Sequence, residues 1–256
     1  MHAAAIAIHP VEQRMPAPRK HAGSCSNCNL RELCLPGGLD DEDLRRIDNL
    51  VYARRRLKRG EALYQAGAEF NAVYAIRSGS FKASLFDGEG HEQVSGFFMA
   101  GELLGLEGLG SGTYNAAAVA LEDSEVCVLP YALIEDLARE VPALQRRLHA
   151  VLAREIVRDH GVMMLLGTMR SEQRLATFLL NLSARSVRRG YSSCEFHLRM
   201  TREEMGSYLG LKLETVSRLF SQFHDAGLID VDHRHVRILD VQGLQRMLNE
   251  RPRVSN

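Results

Sequence analysis

The sequence lacks tryptophan, long apolar runs and an export signal. Its apolar runs, such as 3–8 and 116–121, are much shorter than the roughly 20 residues that a transmembrane helix requires. Residues 1–10 contain no basic segment followed by an apolar core, which is the pattern of a secretory signal. We therefore expect neither a membrane protein nor a secreted one, but a cytoplasmic protein whose cysteines stay reduced.

The formal net charge at pH 7 is zero, because 32 Lys and Arg residues balance 32 Asp and Glu residues. Nucleic-acid-binding proteins usually carry a basic excess, so the average argues against that class. The average hides an asymmetry, since the segment from Arg170 onward has 14 basic residues against 10 acidic ones. A polyanionic partner is therefore expected to bind the last third of the chain.

Glycine divides the chain into regions of different composition. Of the 21 glycines, 11 lie between Gly60 and Gly112, where they separate short apolar runs. Strands at this spacing with turn glycines between them indicate a β-barrel or a β-sandwich. Between Pro142 and Met169 there is no further proline and there are only two glycines, which predicts a long helix.

The long helix carries a stripe of residues close to the period of about 3.6 that is typical of an amphipathic helix. The stripe consists of Leu148, Leu152, Ile156, Asp159, Met163 and Leu166. Packing of the helix on its own domain is one explanation of the stripe. A long helix between two domains of different class more often pairs with a copy of itself, which predicts a dimer interface.

Two helices joined by a tight turn are predicted near the C-terminus. Residues 201–204 form a capping box that begins the first helix, and 210–212 form the turn. The second helix is predicted over 213–226 and ends at Gly227, a typical C-terminal glycine. This spacing suits a DNA-binding helix-turn-helix, and the apolar runs on either side of 232–235 add a hairpin wing.

The second helix has an apolar side and a polar side. At about 100° per residue, the apolar side consists of Val216, Leu219, Phe220 and Phe223. The opposite side carries Glu214, Ser217 and Arg218. Arg holds guanine bidentately, Glu accepts from the amino group of cytosine and Ser bonds several base edges, so this side is predicted to contact DNA bases. A solvated Glu–Arg pair is the alternative, but it leaves the turn unexplained.

Three of the five cysteines lie close together. Cys25, Cys28 and Cys34 are spaced C-x2-C-x5-C, and Cys127 follows 93 residues later. Four thiolates suit an iron–sulfur cluster or a structural zinc ion, and spacing alone does not separate the two. A catalytic cysteine is less favoured, because no supporting His and Asn arrangement is visible. The fifth cysteine, Cys194, is expected to be an inert thiol.

The order of these elements resembles a known family. A β-barrel, a long helix and a winged helix-turn-helix occur in this order in the cAMP receptor protein superfamily of bacterial transcription regulators. The cysteines, together with 208–211 and 214–218, make the sequence similar to the FNR branch, the oxygen-responsive fumarate and nitrate reduction regulators. The likeness extends from about Cys25 to Leu239.

The resemblance implies an α+β fold with an N-terminal β-roll, which is a cyclic-nucleotide-binding-like barrel, a long dimerisation helix and a C-terminal winged helix-turn-helix. The implied segments are a flexible tail over 1–22, a cysteine-rich cluster-binding loop over 23–38, a β-roll sensor domain over 39–135, the dimerisation helix over 136–170 and the DNA-binding domain over 171–256.

The resemblance also implies a function. The implied ligands of a 4Fe-4S cluster are Cys25, Cys28, Cys34 and Cys127. This cluster would promote dimerisation, and oxygen would destroy it. The implied base contacts are Glu214, Ser217 and Arg218, which would bind each half of an inverted repeat of the TTGAT and ATCAA kind in double-stranded DNA. RNA polymerase is the further implied partner in the control of anaerobic genes, with the polar tip 87–92 as the candidate contact.

Asp159 interrupts the apolar stripe and suggests how dimerisation is controlled. In a two-fold dimer its carboxylate approaches its own copy, and two carboxylates about 4 Å apart repel by roughly 4 kcal/mol at an effective dielectric constant near 20. We expect the cluster-free chain to be mostly monomeric, and cluster binding to relieve the penalty by moving the cysteine loop. An exposed helix acid without a role is the alternative.

The sequence departs from the cyclic-nucleotide binders of the superfamily, which pair a Gly-Glu-Leu element with an Arg that holds the phosphate. Residues 101–103 supply the element, but no Arg or Lys occurs between Leu106 and Ser124. Because a buried phosphate would lack its cation, we expect no cAMP binding.

Two other classes of protein stay open as alternatives. A zinc-stabilised or thiol–disulfide DNA-binding regulator would share the fold without the oxygen chemistry. An enzyme with a cysteine-bound cluster is disfavoured, because the barrel offers no evident acid–base constellation and the helix-turn-helix would be idle. We therefore predict a protein that is not an enzyme.

Overall fold

The computed structural model describes residues 25–48, 51 and 53–249. The predicted tail over 1–22 lies outside the described residues. The described residues begin with one turn of 3-10 helix, Cys25–Asn27, followed by the helix α1, Asp41–Asp48. Among the described residues, no helix is both long and apolar enough to cross a membrane.

Eight strands form the predicted β-roll. They are β1 (Ala53–Leu57), β2 (Ala62–Tyr64), β3 (Ala72–Ser78), β4 (Ser80–Phe86), β5 (Glu92–Met99), β6 (Leu103–Leu104), β7 (Ala117–Ala120) and β8 (Ser124–Pro130). The strands pair antiparallel in two four-stranded sheets, in the orders β1-β8-β3-β6 and β2-β7-β4-β5. The glycine-separated apolar runs thus form the barrel that their spacing predicts.

Aromatic side chains fill the interior of the barrel. Tyr64 stacks on Tyr114 with ring centroids 4.0 Å apart, and both residues are 1% exposed. Tyr74 and Phe70 pack around this pair. The space between the two sheets is therefore occupied by the protein's own rings.

The two helices after the barrel are α2 (Tyr131–Glu140) and α3 (Pro142–Thr168). The long helix predicted between Pro142 and Met169 begins at Pro142, and the segment 136–170 that the resemblance implies also contains the last residues of α2. Val141 is extended with φ −118°, because Pro142 lacks an N–H and disfavours the helical conformation of the preceding residue. The long helix then continues for 27 residues.

Strand β8 lies between two cores. Val126 and Val128 join the barrel interior, whereas Cys127 and Leu129 belong to a second core on the opposite side of the strand. The alternation follows from strand geometry, since successive side chains point to opposite faces. Helices α2 and α3 contribute to the second core. This arrangement places Cys127 on the outside of the barrel, beneath the helices.

The C-terminal module contains the predicted winged helix-turn-helix. Its elements are α4 (Ser171–Val187), β9 (Glu195–His197), α5 (Arg202–Leu209), α6 (Leu213–Asp225), β10 (Ile229–Asp232), β11 (His235–Ile238) and α7 (Val241–Asn249). The side chains of Thr201 and Glu204 each accept a hydrogen bond from the other's backbone N–H, which confirms the capping box. Gly210 ends α5 with φ 63°, a conformation that favours glycine. β9 is a third wing strand that the sequence did not reveal.

Candidate functional site

The four cysteines of the predicted ligand set line one small cavity. The cavity has a volume of about 40 Å³, and its other lining side chains are mostly apolar. Cys25 lies in the 3-10 turn, Cys28 and Cys34 in the loop that follows, and Cys127 in β8. The fold therefore brings three residues of one loop to a fourth that lies 93 residues further along the chain.

Consecutive turns shape the cysteine loop. The N–H of Cys28 donates to the carbonyl of Cys25 at 3.1 Å, and the N–H of Cys34 donates to the carbonyl of Leu30 at 3.0 Å. Because these turns coil the backbone tightly, the three thiols of the C-x2-C-x5-C spacing return to the same cavity.

Burial and mutual proximity favour the protonated form of the thiols. Burial, followed by the nearby Cys34 and Cys127 thiols, raises the pKa of Cys25 to about 12. Burial also raises the pKa of Cys34 to about 12, and it raises the pKa of Cys127. A metal centre must displace these protons, because the thiolate is the form that ligates. Only a strongly cationic centre would make several thiolates acceptable in this apolar cavity.

The donor set fits an iron–sulfur cluster, which four cysteine thiolates typically hold. Four sulfur donors also fit zinc. Among the residues that the structure describes, no group of three or more His, Cys, Asp or Glu side chains has the arrangement of a metal-ion site. The thiols therefore converge on one cavity without already forming the coordination sphere of a single ion.

Helix α6 is held by its apolar side, as predicted. The buried side chains are Val216, Leu219, Phe220 and Phe223. The guanidinium of Arg202 in α5 lies 3.2 Å from the centroid of the Phe220 ring and fixes this side further. Glu214, Ser217 and Arg218 are exposed on the other side. Contact of these three side chains with DNA bases stays a prediction.

Cationic side chains gather at the wing. The β10–β11 hairpin turns at His233 and Arg234, and Nη1 of Arg234 donates to the carbonyl of Arg199 at 3.3 Å. Burial, together with Arg199 and Arg234, lowers the pKa of His197. Sequence analysis missed β9 and Arg199, since a three-residue strand is too short to show alternation. The Arg199 guanidinium is paired with the Glu122 carboxylate at 3.1 Å, so Arg234 at the hairpin tip is the wing cation that suits contact with phosphates.

The structure divides the predicted dimerisation stripe. Leu148 is buried against the barrel, Leu152 is half-buried beside it, and Leu166 packs on the core of the C-terminal module. Ile156 and Met163 are instead 56% and 61% exposed. The exposed apolar residues of the predicted stripe therefore lie in the middle of α3.

Two apolar residues outside the predicted stripe widen this exposed region. Val157 and Met164 are 68% and 62% exposed, and together with Ile156 and Met163 they form a surface that we call the α3 patch. Asp159 lies among them, with its carboxylate 3.9 Å from the guanidinium of Arg158. A cluster of large, exposed apolar side chains is typical of an interaction surface.

Comparison with known proteins assigns both halves of the chain. A cyclic nucleotide-binding domain matches residues 54–140, and a Crp-like helix-turn-helix domain matches residues 173–247. The transcriptional regulatory protein btr of Bordetella pertussis is 47% identical over 90% of this chain and 95% of its own. The fumarate and nitrate reduction regulatory protein of Escherichia coli is 37% identical over 87% of this chain and 89% of its own. The chain belongs to the FNR-type branch of the cAMP receptor protein superfamily.

A solved structure supports the fold of this FNR-type chain. FixK2 from Bradyrhizobium japonicum superposes with a TM-score of 0.70 at 29% identity, over 76% of this chain and 96% of that one. The FNR-type chain is thus a transcription regulator with a DNA-binding helix-turn-helix, and its barrel is that of a cyclic nucleotide-binding domain.

In this FNR-type chain the Gly-Glu-Leu element faces the C-terminal module. The Glu102 carboxylate binds Nη2 of Arg185 at 2.6 Å and also pairs with Arg189. Although burial raises the pKa of Glu102, the two guanidinium groups outweigh it and lower the pKa below its usual value. Both oxygens of the carboxylate are therefore bound by the protein. Sequence analysis missed this contact, since its partners lie far apart in the chain.

Proposed function

We propose that this chain is an oxygen-responsive transcription regulator in the cytoplasm, in which a 4Fe-4S cluster promotes dimerisation and DNA binding. The DNA site is an inverted repeat of the TTGAT and ATCAA kind, and the regulated genes serve anaerobic growth. The supporting observation is the convergence of Cys25, Cys28, Cys34 and Cys127 on one cavity next to α3. The chain acts by binding and not as an enzyme.

The four cysteines would hold the cluster as thiolates. When bound, the cluster supplies a centre that oxygen attacks. Burial favours neutral thiols, whereas a bound cluster would require thiolates. Loading would therefore replace neutral thiols with thiolates, and the loop that carries Cys25, Cys28 and Cys34 would adjust to hold them around the cluster.

The α3 patch is the proposed contact with a second copy of the chain. Pairing two patches about a two-fold axis covers their exposed apolar side chains and brings the two Asp159 carboxylates together. The repulsion between these carboxylates opposes pairing in the cluster-free state. Cluster loading shifts the balance by repositioning the loop and, with it, α3.

Dimerisation gives DNA binding its strength. Each α6 would present Glu214, Ser217 and Arg218 to one half-site, and the second contact becomes intramolecular once the first has formed. Arg234 at the tip of the wing would contact phosphates, which fixes the orientation of α6 on the duplex.

The tip between β4 and β5 is the proposed contact with RNA polymerase. The Asp87 carboxylate orders the tip by accepting hydrogen bonds of 2.9 Å from the N–H groups of Glu89 and His91. Leu85 and Phe86 at its base are 44% and 48% exposed. An ordered polar turn above exposed apolar side chains suits a protein partner.

We also propose that the barrel binds no cyclic nucleotide. The Glu102 carboxylate is bound by Arg185 and Arg189, and tyrosines occupy the barrel interior. A ligand at one hundred times its Kd stabilises a folded protein by about 2.7 kcal/mol. We therefore expect millimolar cAMP to leave the thermal denaturation midpoint of the cluster-loaded protein unchanged, whereas DNA carrying the inverted repeat raises it. A midpoint that rises with cAMP concentration would contradict this proposal.

Replacement of single cysteines tests the proposed cluster. We expect Cys28→Ser and Cys127→Ser proteins purified without oxygen to lose their brown colour, iron and sulfide, because three thiolates do not hold the cluster stably. Their oxygen-free binding to the inverted repeat should be lost as well. The control is Cys194→Ser, which removes a half-buried thiol outside the cavity and should keep the wild-type spectrum and DNA affinity.

Two outcomes would refute the cluster. One is oxygen-free promoter occupancy that survives Cys28→Ser or Cys127→Ser. The other is colourless wild-type protein with stoichiometric zinc, which would favour the zinc-stabilised regulator of the same fold.

A further inference from the structure

Arg147, in the second turn of α3, binds the backbone of the cysteine loop. Its Nη2 donates to the carbonyl oxygens of Glu32 at 3.0 Å and Cys34 at 2.8 Å, and its Nε donates to Cys34 at 3.3 Å. One guanidinium therefore fixes two carbonyl groups of the loop, one of which belongs to a proposed cluster ligand. Hydrogen bonds from a charged donor are stronger than those between neutral groups.

The loop is shaped to receive this guanidinium. Gly37 lies so close to it that a Cβ atom at this position would overlap Nη2 of Arg147 and approach the carbonyl oxygen of Glu32 to 2.7 Å. A side chain at position 37 thus has no room while Arg147 is in place. Arg147 is half-buried, whereas its neighbour Arg146 is exposed. The guanidinium is therefore partly enclosed by the loop, whereas that of Arg146 is not.

Apolar contacts join the same turn of α3 to the loop. Leu144 and Leu148, which stand on either side of Arg147 in the helix, share a core with Leu35, and Cys34 packs against this core. A shift of the loop therefore acts on the same turn of α3 in two ways, through the hydrogen bonds of Arg147 and through the apolar packing of Leu144 and Leu148.

Helix α3 continues without interruption from Arg147 to the α3 patch. The nine residues from Arg147 to Ile156 correspond to about 14 Å along the helix axis. A helix of this length moves largely as a rigid element, so a displacement at one end changes the position of the other.

We propose that Arg147 is a positioning residue that couples the cysteine loop to the dimerisation face of α3. This inference rests on the proposed function, because it names the connection by which cluster loading reaches α3. When the cysteines close around the cluster, the carbonyl groups of Glu32 and Cys34 move with them. Arg147 follows these carbonyls and transmits the movement to α3. Without the guanidinium the cluster still loads, but dimerisation no longer responds fully.

Replacing Arg147 with Gln in the full chain tests this coupling. Wild-type, Arg147→Gln and Arg146→Gln proteins are prepared without oxygen, each with and without iron and sulfide. We expect Arg147→Gln to reach wild-type iron content and visible absorption, because all four cysteines remain. The ratio of the dimerisation constants with and without the cluster is measured by sedimentation equilibrium. In Arg147→Gln we expect this ratio to be at least about tenfold smaller than in the wild type, which is a typical magnitude of allosteric coupling. Arg146→Gln removes the same charge from an exposed site and should keep the wild-type increase.

A second variant keeps the positive charge at position 147. Lysine has a compact ammonium group in place of a planar fork, so Arg147→Lys should load normally and show intermediate coupling. Wild-type coupling in Arg147→Gln would overturn the proposal. Loss of cluster uptake in both variants would assign Arg147 to folding of the loop alone and would overturn it as well. If Arg147→Gln fails to take up the cluster but Arg147→Lys succeeds, the dimerisation response of Arg147→Lys tests the proposal. A response equal to that of the wild type would then overturn it.

The wild-type sample separates a failure of this inference from a failure of the proposed function. A wild-type chain that takes up the cluster without gaining dimer, or that takes up no cluster, would refute the proposed function itself. A wild-type chain that responds, alongside variants that respond equally, would refute only the role of Arg147.

Discussion

Replacing Asp159 with Ala is expected to raise the dimerisation constant of the cluster-free protein by up to about a thousandfold. The two carboxylates meet across the proposed two-fold axis, and their repulsion of roughly 4 kcal/mol at about 4 Å corresponds to three factors of ten. The variant leaves the apolar residues of the α3 patch in place. Sedimentation in air should therefore show a dimer that no longer depends on oxygen, and this dimer should bind the inverted repeat in air.

Two further variants control this experiment. Asp159→Asn keeps the shape of the side chain and removes only its charge, so it should dimerise nearly as well as Asp159→Ala. Asp136→Ala removes an exposed acid from α2, outside the α3 patch, and should behave as the wild type. A cluster-free monomer fraction that stays unchanged in Asp159→Ala would remove electrostatic repulsion as the basis of control.

Replacing Arg218 with Ala is expected to weaken binding of the loaded dimer to the inverted repeat by at least about thirtyfold. A bidentate contact between Arg and guanine contributes roughly 1–3 kcal/mol of discrimination, and a dimer loses two such contacts. Arg218 is exposed on α6, so its loss should leave the thermal stability of the module nearly unchanged. Titration of labelled DNA at fixed salt concentration measures the affinity.

Binding to DNA of unrelated sequence shows whether Arg218 contacts a base or a phosphate. If it contacts a base, the variant should lose discrimination at one guanine position and bind unrelated DNA almost as well as the wild type does. Arg246→Ala, which removes an exposed cation from α7, should keep wild-type specificity. An equal loss of affinity for unrelated DNA would show that Arg218 contacts phosphate and would contradict the predicted base contact.

The helix-turn-helix was the part of the fold most accessible from the sequence, because local chemistry determines it. The capping box at Thr201 and Glu204 and the left-handed Gly210 each specify a helix end within a few residues. The buried and exposed sides of α6 follow from helical angle alone. These features do not depend on where the rest of the chain lies.

Long-range features were accessible only in part. The residues suggested Cys127 as a possible fourth ligand and the resemblance implied it, but spacing alone does not place it, because its position depends on how β8 pairs with β3 and β1. Periodicity placed Leu148 in the dimerisation stripe, but the same period also suits packing on the barrel, where the structure places it. Tertiary contacts choose between such alternatives, as they do for Glu102 and the arginines that follow 83 and 87 residues later.

The two-sided character of β8 separates the packing of the barrel from the proposed cluster site. The inward side chains Val126 and Val128 stabilise the barrel, while Cys127 between them belongs to the layer beneath α2 and α3. Substitutions on the outward positions change which chemistry meets the helices and leave the inner packing intact. A substitution at Cys127 would therefore alter the proposed cluster site while the inward valines keep the barrel interior closed, because the two roles occupy opposite faces of one strand.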